Sequence, residues 1–177
     1  MARIIFIYGL VAGLIIIAGI IGTIVLAGDQ PHGNVWLGYL IMLLGMSAVF
    51  MGVKRYRDRE GGGVIRFLPA LGVGLAIALM ASVAYVLVWE IYLAATDYAF
   101  MDQYIAATLE ARRAEGLSGE AYRTLEASYR EMAVAYQSPL YRLPLTFVEI
   151  FPVGLLVSVV SAILLRNSRF LPARARA

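Results

Sequence analysis

Two carboxylates stand inside stretches otherwise suited to lipid: Glu90 in "AYVLVWEIYLAA", residues 84–95, and Glu149 in "TFVEIFPVG", residues 146–154. Two carboxyl groups brought close together share a proton and hold a cation or a base more readily than one does. If Glu90 and Glu149 met across a vestibule, the pair would suit proton or cation handling. Each also has a structural reading. Thr146 and Glu149 have the spacing of a capping box, in which the threonine accepts from a first-turn amide and the glutamate reaches back to the threonine N–H. Glu90 fits an interfacial polar network, with Tyr39, Arg142 and the 146–149 turn as candidate partners.

Other reactive types are scarce. There is no cysteine, so disulfides and thiolate metal sites are excluded, and the single histidine, His32, stands in the short turn "GDQPHGN", residues 28–34, without metal-ligand spacing around it. "EGGGVIRF", residues 60–67, is glycine-rich but lacks the Gly-Lys-Ser/Thr ending of a phosphate loop. It reads as the stop of one helix and a link to the next. No catalytic, cofactor or metal set can be assembled, and an enzyme is not expected.

The elements that must position these residues follow from composition. In 177 residues, 61% are hydrophobic and only 15% charged, where a soluble chain has about a quarter charged. Four segments, 4–27, 35–53, 68–95 and 145–165, are long and apolar enough to cross a bilayer, which needs about 20 residues. The fold expected is all-α: one polytopic membrane domain over 1–177, with an outer insert over 96–144 between the third and fourth spans. "KRYRDRE", residues 54–60, extends the second helix beyond the membrane. Counting from Leu68, Glu90 lies about 33 Å along its helix at 1.5 Å per residue, at the outer interface. Trp89 and Tyr92, with Trp36 and Tyr39, then read as an aromatic belt.

Small residues mark where helices approach closely in a membrane. Gly38, Gly45 and Gly52 recur one heptad apart in the second span, Gly9 and Gly13 open the first, and Gly154 and Ser158 mark the fourth. In the third, Gly74, Ala78 and Ala81 form one stripe, with Gly72 and Ala76 nearly opposite, so neighbours are expected on both flanks. The Gly9–Gly13 face suits an internal contact, with a homo-oligomer as the other use.

The insert carries its own pattern. From Tyr122 the apolar residues recur at Leu125, Tyr129, Met132 and Tyr136, one helical stripe, and Met101, Tyr104, Ile105, Thr108 and Leu109 share the face of a preceding helix. "EGLSG", residues 115–119, separates them. An amphipathic helical hairpin results. It packs on itself or on the mouth of the bundle, or it meets a partner or the lipid surface.

Basic residues set the orientation. Arg3, Lys54, Arg55, Arg57, Arg59, Arg66, Arg166, Arg169, Arg174 and Arg176 fall on one side; residues 96–144 hold five arginines against seven acidic residues. Both termini are therefore expected in the cytoplasm and the hairpin outside it. Lys54, Arg55, Arg57 and Arg59 are placed to touch anionic lipid headgroups. A net charge of +3 distributed in this way describes a membrane protein, not a nucleic-acid surface.

The strings "WLGYLIMLLGMSAVFMGVKRYRDREGGG", "GLAIALMASVAYVLVWEIY" and "FVEIFPVGLLVSVVSAILL", in that order and with an acidic-basic helical insert between the last two, resemble domain-of-unknown-function family 4199 of bacterial membrane proteins. The resemblance covers nearly the whole chain. It implies a four-helix protein of the bacterial inner membrane and brings no activity, cofactor or site. The function expected is a non-enzymatic structural or partner-binding component, whose partners are the bilayer, further copies, or a membrane or periplasmic protein. The alternative is a transporter of small solutes, protons or cations using Glu90 and Glu149.

Overall fold

A computed structural model describes residues 1–27 and 35–173. The 28–34 turn with His32, and Arg174 and Arg176, lie outside the described residues. Among the described residues there are six helices and no strand: α1 (Ala2–Ala27), α2 (Val35–Glu60), α3 (Phe67–Ala95), α4 (Phe100–Ala114), α5 (Gly119–Gln137) and α6 (Pro139–Leu165). Four of them, α1, α2, α3 and α6, are long and apolar enough to cross a membrane. The chain has the build of a multi-pass membrane protein.

Glycines bring these four together. A methyl group added at Gly9 would stand 2.6 Å from Met80 Cβ, and one at Gly13 would stand 2.8 Å from the Ala81 carbonyl, so the first pair of glycines serves the α1–α3 contact inside the chain. Gly45 is closed off by Ile16 and by the Ala12 carbonyl of α1, and Gly52 meets both Ile77 of α3 and Tyr8 of α1. Gly74 faces Ser158, and Gly154 faces Ala78 and the Met46 methyl. So α1 lies against α2 and α3, α6 lies against the same two helices, and Ile16, Met46, Val49, Ile77 and Ile150 fill the space between.

Two expectations about this packing are corrected. Gly38 belongs to the heptad series by spacing, yet no described residue comes within 4 Å of a methyl group placed there. Beside it Trp36 and Tyr39 are largely exposed, and Gly22 on α1 is equally open. Among the described residues the heptad face is in use at Gly45 and Gly52 and not at Gly38. On α3 the second flank is real but is made by Ile77, Met80, Ala81 and Ala84 against α1; Gly72 is exposed, with open space around it.

At the end of the bundle where α1 begins and α6 stops, α2 ends in a glycine turn. The Gly61 and Gly63 amides both return to the Arg57 carbonyl, and Gly62 and Gly63 take φ of 60° and 88°, a region that costs other residues about 1–2 kcal/mol. Arg57, expected on lipid, is completely buried instead. It donates to the Phe170 carbonyl at 2.9 Å, to the Leu171 carbonyl and to Asp58, and so holds the segment after α6 against the end of α2. Lys54 is paired with the same Asp58. Arg55 and Arg59 keep an exposed position suited to headgroups.

At the other end, α4 and α5 form the expected hairpin, broken at 115–118 by a turn with Gly116 at φ 95°. Ile105, Thr108 and Leu109 are buried on α4, and Tyr136 is the buried residue of α5. Helix α6 begins six residues earlier than expected. Ser138 interrupts α5, Pro139 takes a first-turn position in α6, where a missing N–H costs nothing, and Pro144 and Pro152 are carried inside the helix. The capping box is corrected accordingly: Thr146 is mid-helix and donates to the Arg142 carbonyl at 3.0 Å, and Glu149 caps nothing.

Candidate functional site

Helix propensity and a serine-proline stop explain how Arg142 comes to where it works. Because α6 starts at Pro139, Arg142 stands in its first turn, directly beside the carbonyls that end α5. Its Nη1 donates to the Tyr136 carbonyl at 2.8 Å and to the Gln137 carbonyl at 3.3 Å. Carbonyls in the last turn of a helix lack partners within it, and that turn is the negative end of its dipole, so a guanidinium there supplies both donors and opposite charge.

The other edge of the same guanidinium meets Glu90 of α3. Nε donates to Oε1 at 2.6 Å and Nη2 to Oε2 at 2.7 Å, the two-pronged geometry that makes arginine–carboxylate pairs strong and directional. Arg142 is 2% exposed, while the Glu90 side chain keeps 23% of its surface open. Three helices, α3, α5 and α6, are therefore fastened at one side chain.

Aromatic residues enclose this clamp. The Tyr98 ring lies 5.0 Å from the Arg142 guanidinium carbon and the Tyr136 ring 5.6 Å away, distances at which the ring faces attract the cation. Tyr98 reaches there through the α3–α4 turn, where Asp97 and Tyr98 both adopt positive φ, 49° and 56°. Such values are uncommon in non-glycine residues. Trp89, expected in an aromatic belt at the membrane interface, is instead packed inside the protein: it is 5% exposed, stacks on Tyr85 and Tyr92, meets Phe100 edge-on, and donates from Nε1 to the Tyr136 hydroxyl at 3.1 Å. Burial, reinforced by the charges of Glu149 and Glu90, pushes the Tyr136 hydroxyl above its usual range, against the Trp89 bond and Arg142, which pull it down. The phenol stays protonated across ordinary pH.

The two glutamates do not share a partner. Both oxygens of Glu90 are engaged by Arg142, whereas Glu149 makes no hydrogen bond or ion pair among the described residues. Glu149 follows Arg142 by seven residues on α6, about 10 Å along the axis towards the middle of the bundle. Tyr39 is 51% exposed and takes no part in the clamp. Among the described residues, no three His, Cys, Asp or Glu side chains gather as metal ligands would. Chemically, the arrangement fastens helices: a carboxylate held on both oxygens by a guanidinium is a poor base and a poor nucleophile.

Arg142 and Glu90 were legible as candidate partners; Tyr98, Tyr136 and Trp89 were not. The overlooked signal is Ser138–Pro139, a dipeptide that favours a new helix start and would have placed Arg142 beside the carbonyls of the preceding helix.

With the four spans, the hairpin and the clamp in place, the chain can be compared with known proteins. Residues 7–167 match the model of a family described as "Protein of unknown function (DUF4199)". The chain belongs to the DUF4199 family. The match spans α1 to α6, so the hairpin and both clamp residues fall inside the region that defines this DUF4199 member. No curated protein and no solved structure matches it.

Proposed function

We propose that this DUF4199 member is a non-enzymatic component of the bacterial inner membrane that presents its α4–α5 hairpin, outside the cytoplasm, to a membrane or periplasmic protein. The observation that carries the reading is the clamp. Arg142 and Glu90 seat α5 on α3 and α6, and what they seat is a helical pair, α4 and α5, with a charged outer surface. Two grooves open on that surface, one along Glu120, Thr124, Leu125 and Ser128, the other along Arg112, Glu115, Leu117 and Leu125. The transporter reading loses its second carboxylate, because Glu90 is occupied by Arg142.

A photo-reactive amino acid at Thr124, exposed beside Leu125, is expected to give one discrete cross-linked adduct with another protein in intact cells, and the same group at exposed Leu68 is expected to give none. Equal, diffuse labelling at the two positions overturns the reading.

The orientation rests on ten basic residues on the side of the termini against five in 96–144. In cells stripped of any outer envelope, an impermeant thiol reagent is expected to label Glu115→Cys and to spare Arg59→Cys, both exposed positions in a cysteine-free chain. The opposite pattern inverts the topology.

A further inference from the structure

The α3–α6 pair keeps one register from end to end. Gly74 meets Ser158, Ala78 meets Gly154 one step further up the bundle, and Glu90 meets Arg142 further up again, each advance along α3 matched by an equal step back along α6. By the same register Leu68, at the start of α3, is level with Leu164, at the end of α6, and Ile91 is level with Tyr141. From Leu68 to Ile91 the helix rises about 35 Å at 1.5 Å per residue. A hydrocarbon core is about 30 Å thick, and about 40–45 Å with its two headgroup layers. With Leu68 and Leu164 at one edge of the core, beside exposed Arg66 and Arg166, the level of the clamp falls in the headgroup layer of the opposite leaflet.

At that level the outside of the bundle is apolar. From Leu164 back to Leu140 every fourth residue of α6 is apolar and exposed, so the stripe that acyl chains cover runs on without a break into the first turn of the helix. Leu140 is 88% exposed, and Ile91 of α3 is 67% exposed at almost the same height. On α5, Tyr136 bonds to Trp89, and Val134 two residues before it is 70% exposed. Three helices therefore carry bare apolar side chains around a clamp whose own charges are paired.

From this collar, which continues the lipid-facing stripe past the edge of the hydrocarbon, we infer that Ile91, Val134, Leu140 and Tyr141 form a phospholipid-contact surface seated in the headgroup layer on the hairpin side. The base of the hairpin is thereby footed in the membrane. In open water such side chains would form an exposed apolar patch of the kind that marks a contact surface. In the headgroup layer they are covered, and the Tyr141 hydroxyl still reaches water and ester oxygens. Lipid suits the collar better than a partner helix does, because the collar is spread over three helices and continuous with the face that lipid already covers. The inference goes beyond the proposed function and holds whichever protein meets the hairpin.

The test uses the full chain, which has no cysteine of its own, in phosphatidylcholine nanodiscs, where both membrane faces are open to water. A spin label is attached to a single cysteine at Ile91, Val134 or Leu140, with Leu156 as the mid-stripe reference and Thr124 as the aqueous one, all exposed positions. Collision rates are measured with oxygen, which concentrates in the bilayer, and with a nickel chelate, which stays in water. The oxygen-to-nickel ratio is expected to be highest at Leu156, lowest at Thr124, and severalfold above Thr124 at all three collar sites, with thermal unfolding unchanged by the labels. Ratios at the collar equal to that at Thr124 place it in water and overturn the inference. Exclusion of both reagents from Leu140, or spin–spin broadening that disappears when labelled chains are diluted with unlabelled ones, assigns the collar to a protein contact and overturns it as well. A cross-link at Thr124, present or absent, leaves this result unaffected.

Discussion

Arg142→Met is expected to free the hairpin from the bundle while leaving the four spans folded. The substitution removes both prongs on Glu90 and both donors to the end of α5, and it leaves a carboxylate only partly open to water without a counter-charge. Removing one member of a fully buried pair costs about 3–5 kcal/mol. With 23% of the Glu90 side chain exposed, the loss here is nearer the lower end, about 3 kcal/mol. Hydrogen exchange should show the change most sharply in the last two turns of α5, where the Tyr136 and Gln137 carbonyls lose their cap, and proteolysis at the 115–118 turn should accelerate. Glu90→Gln keeps the fold but is not silent. Its amide group turns an N–H₂ towards a guanidinium that can only donate, so one prong is lost and the cation is left without its charge partner. Replacing both residues, Arg142→Met with Glu90→Leu, should recover part of the stability, because no unpaired charge remains, yet the hairpin should stay loose, because α5 is still uncapped. If α5 in Arg142→Met exchanges as slowly as in the parent chain, the clamp is not what seats the hairpin.

Gly45→Leu should cause the largest loss of stability of any substitution on the α2 seam. Even a methyl group at this position would overlap Ile16 Cγ1 and stand 3.1 Å from the Ala12 carbonyl, and a carbonyl cannot swing aside as a side-chain tip can. Overpacking a tight contact costs about 1–3 kcal/mol when the surroundings can adjust. Four added carbon atoms against a backbone place Gly45→Leu at the top of that range or above it. Gly38→Leu is the matched control, with the same helix, heptad position and residue change, but no described residue within 4 Å. Thermal unfolding in detergent followed by helical circular dichroism should show a large drop for the first and almost none for the second. Matching curves would mean that α1 and α2 do not meet at Gly45.

The residues themselves explain which features the sequence determined. Four apolar segments, the hairpin stripes and the α2 stop at Gly61–Gly63 depend on neighbours a few positions apart, and local pattern records them. Gly45 could be picked out because a packing face must repeat with the helix. Where that face ends could not, since Gly38 shares the spacing of Gly45, yet Gly45 meets α1 and no described residue comes near Gly38. The same holds for charge. Arg57 and Arg59 are two residues apart in one basic run, yet Arg57 is buried against carbonyls 113 and 114 positions along the chain while Arg59 is exposed. Glu90 and Glu149 looked alike as lone carboxylates near helix ends. Starting α6 at Pro139 moved Arg142 into reach of Glu90 and left Glu149 mid-helix, so one became a structural anchor and the other a group without a partner. Periodicity fixes which side of a helix a residue occupies, but what waits on that side depends on how the helices cross and where each begins, and contacts between distant segments decide both.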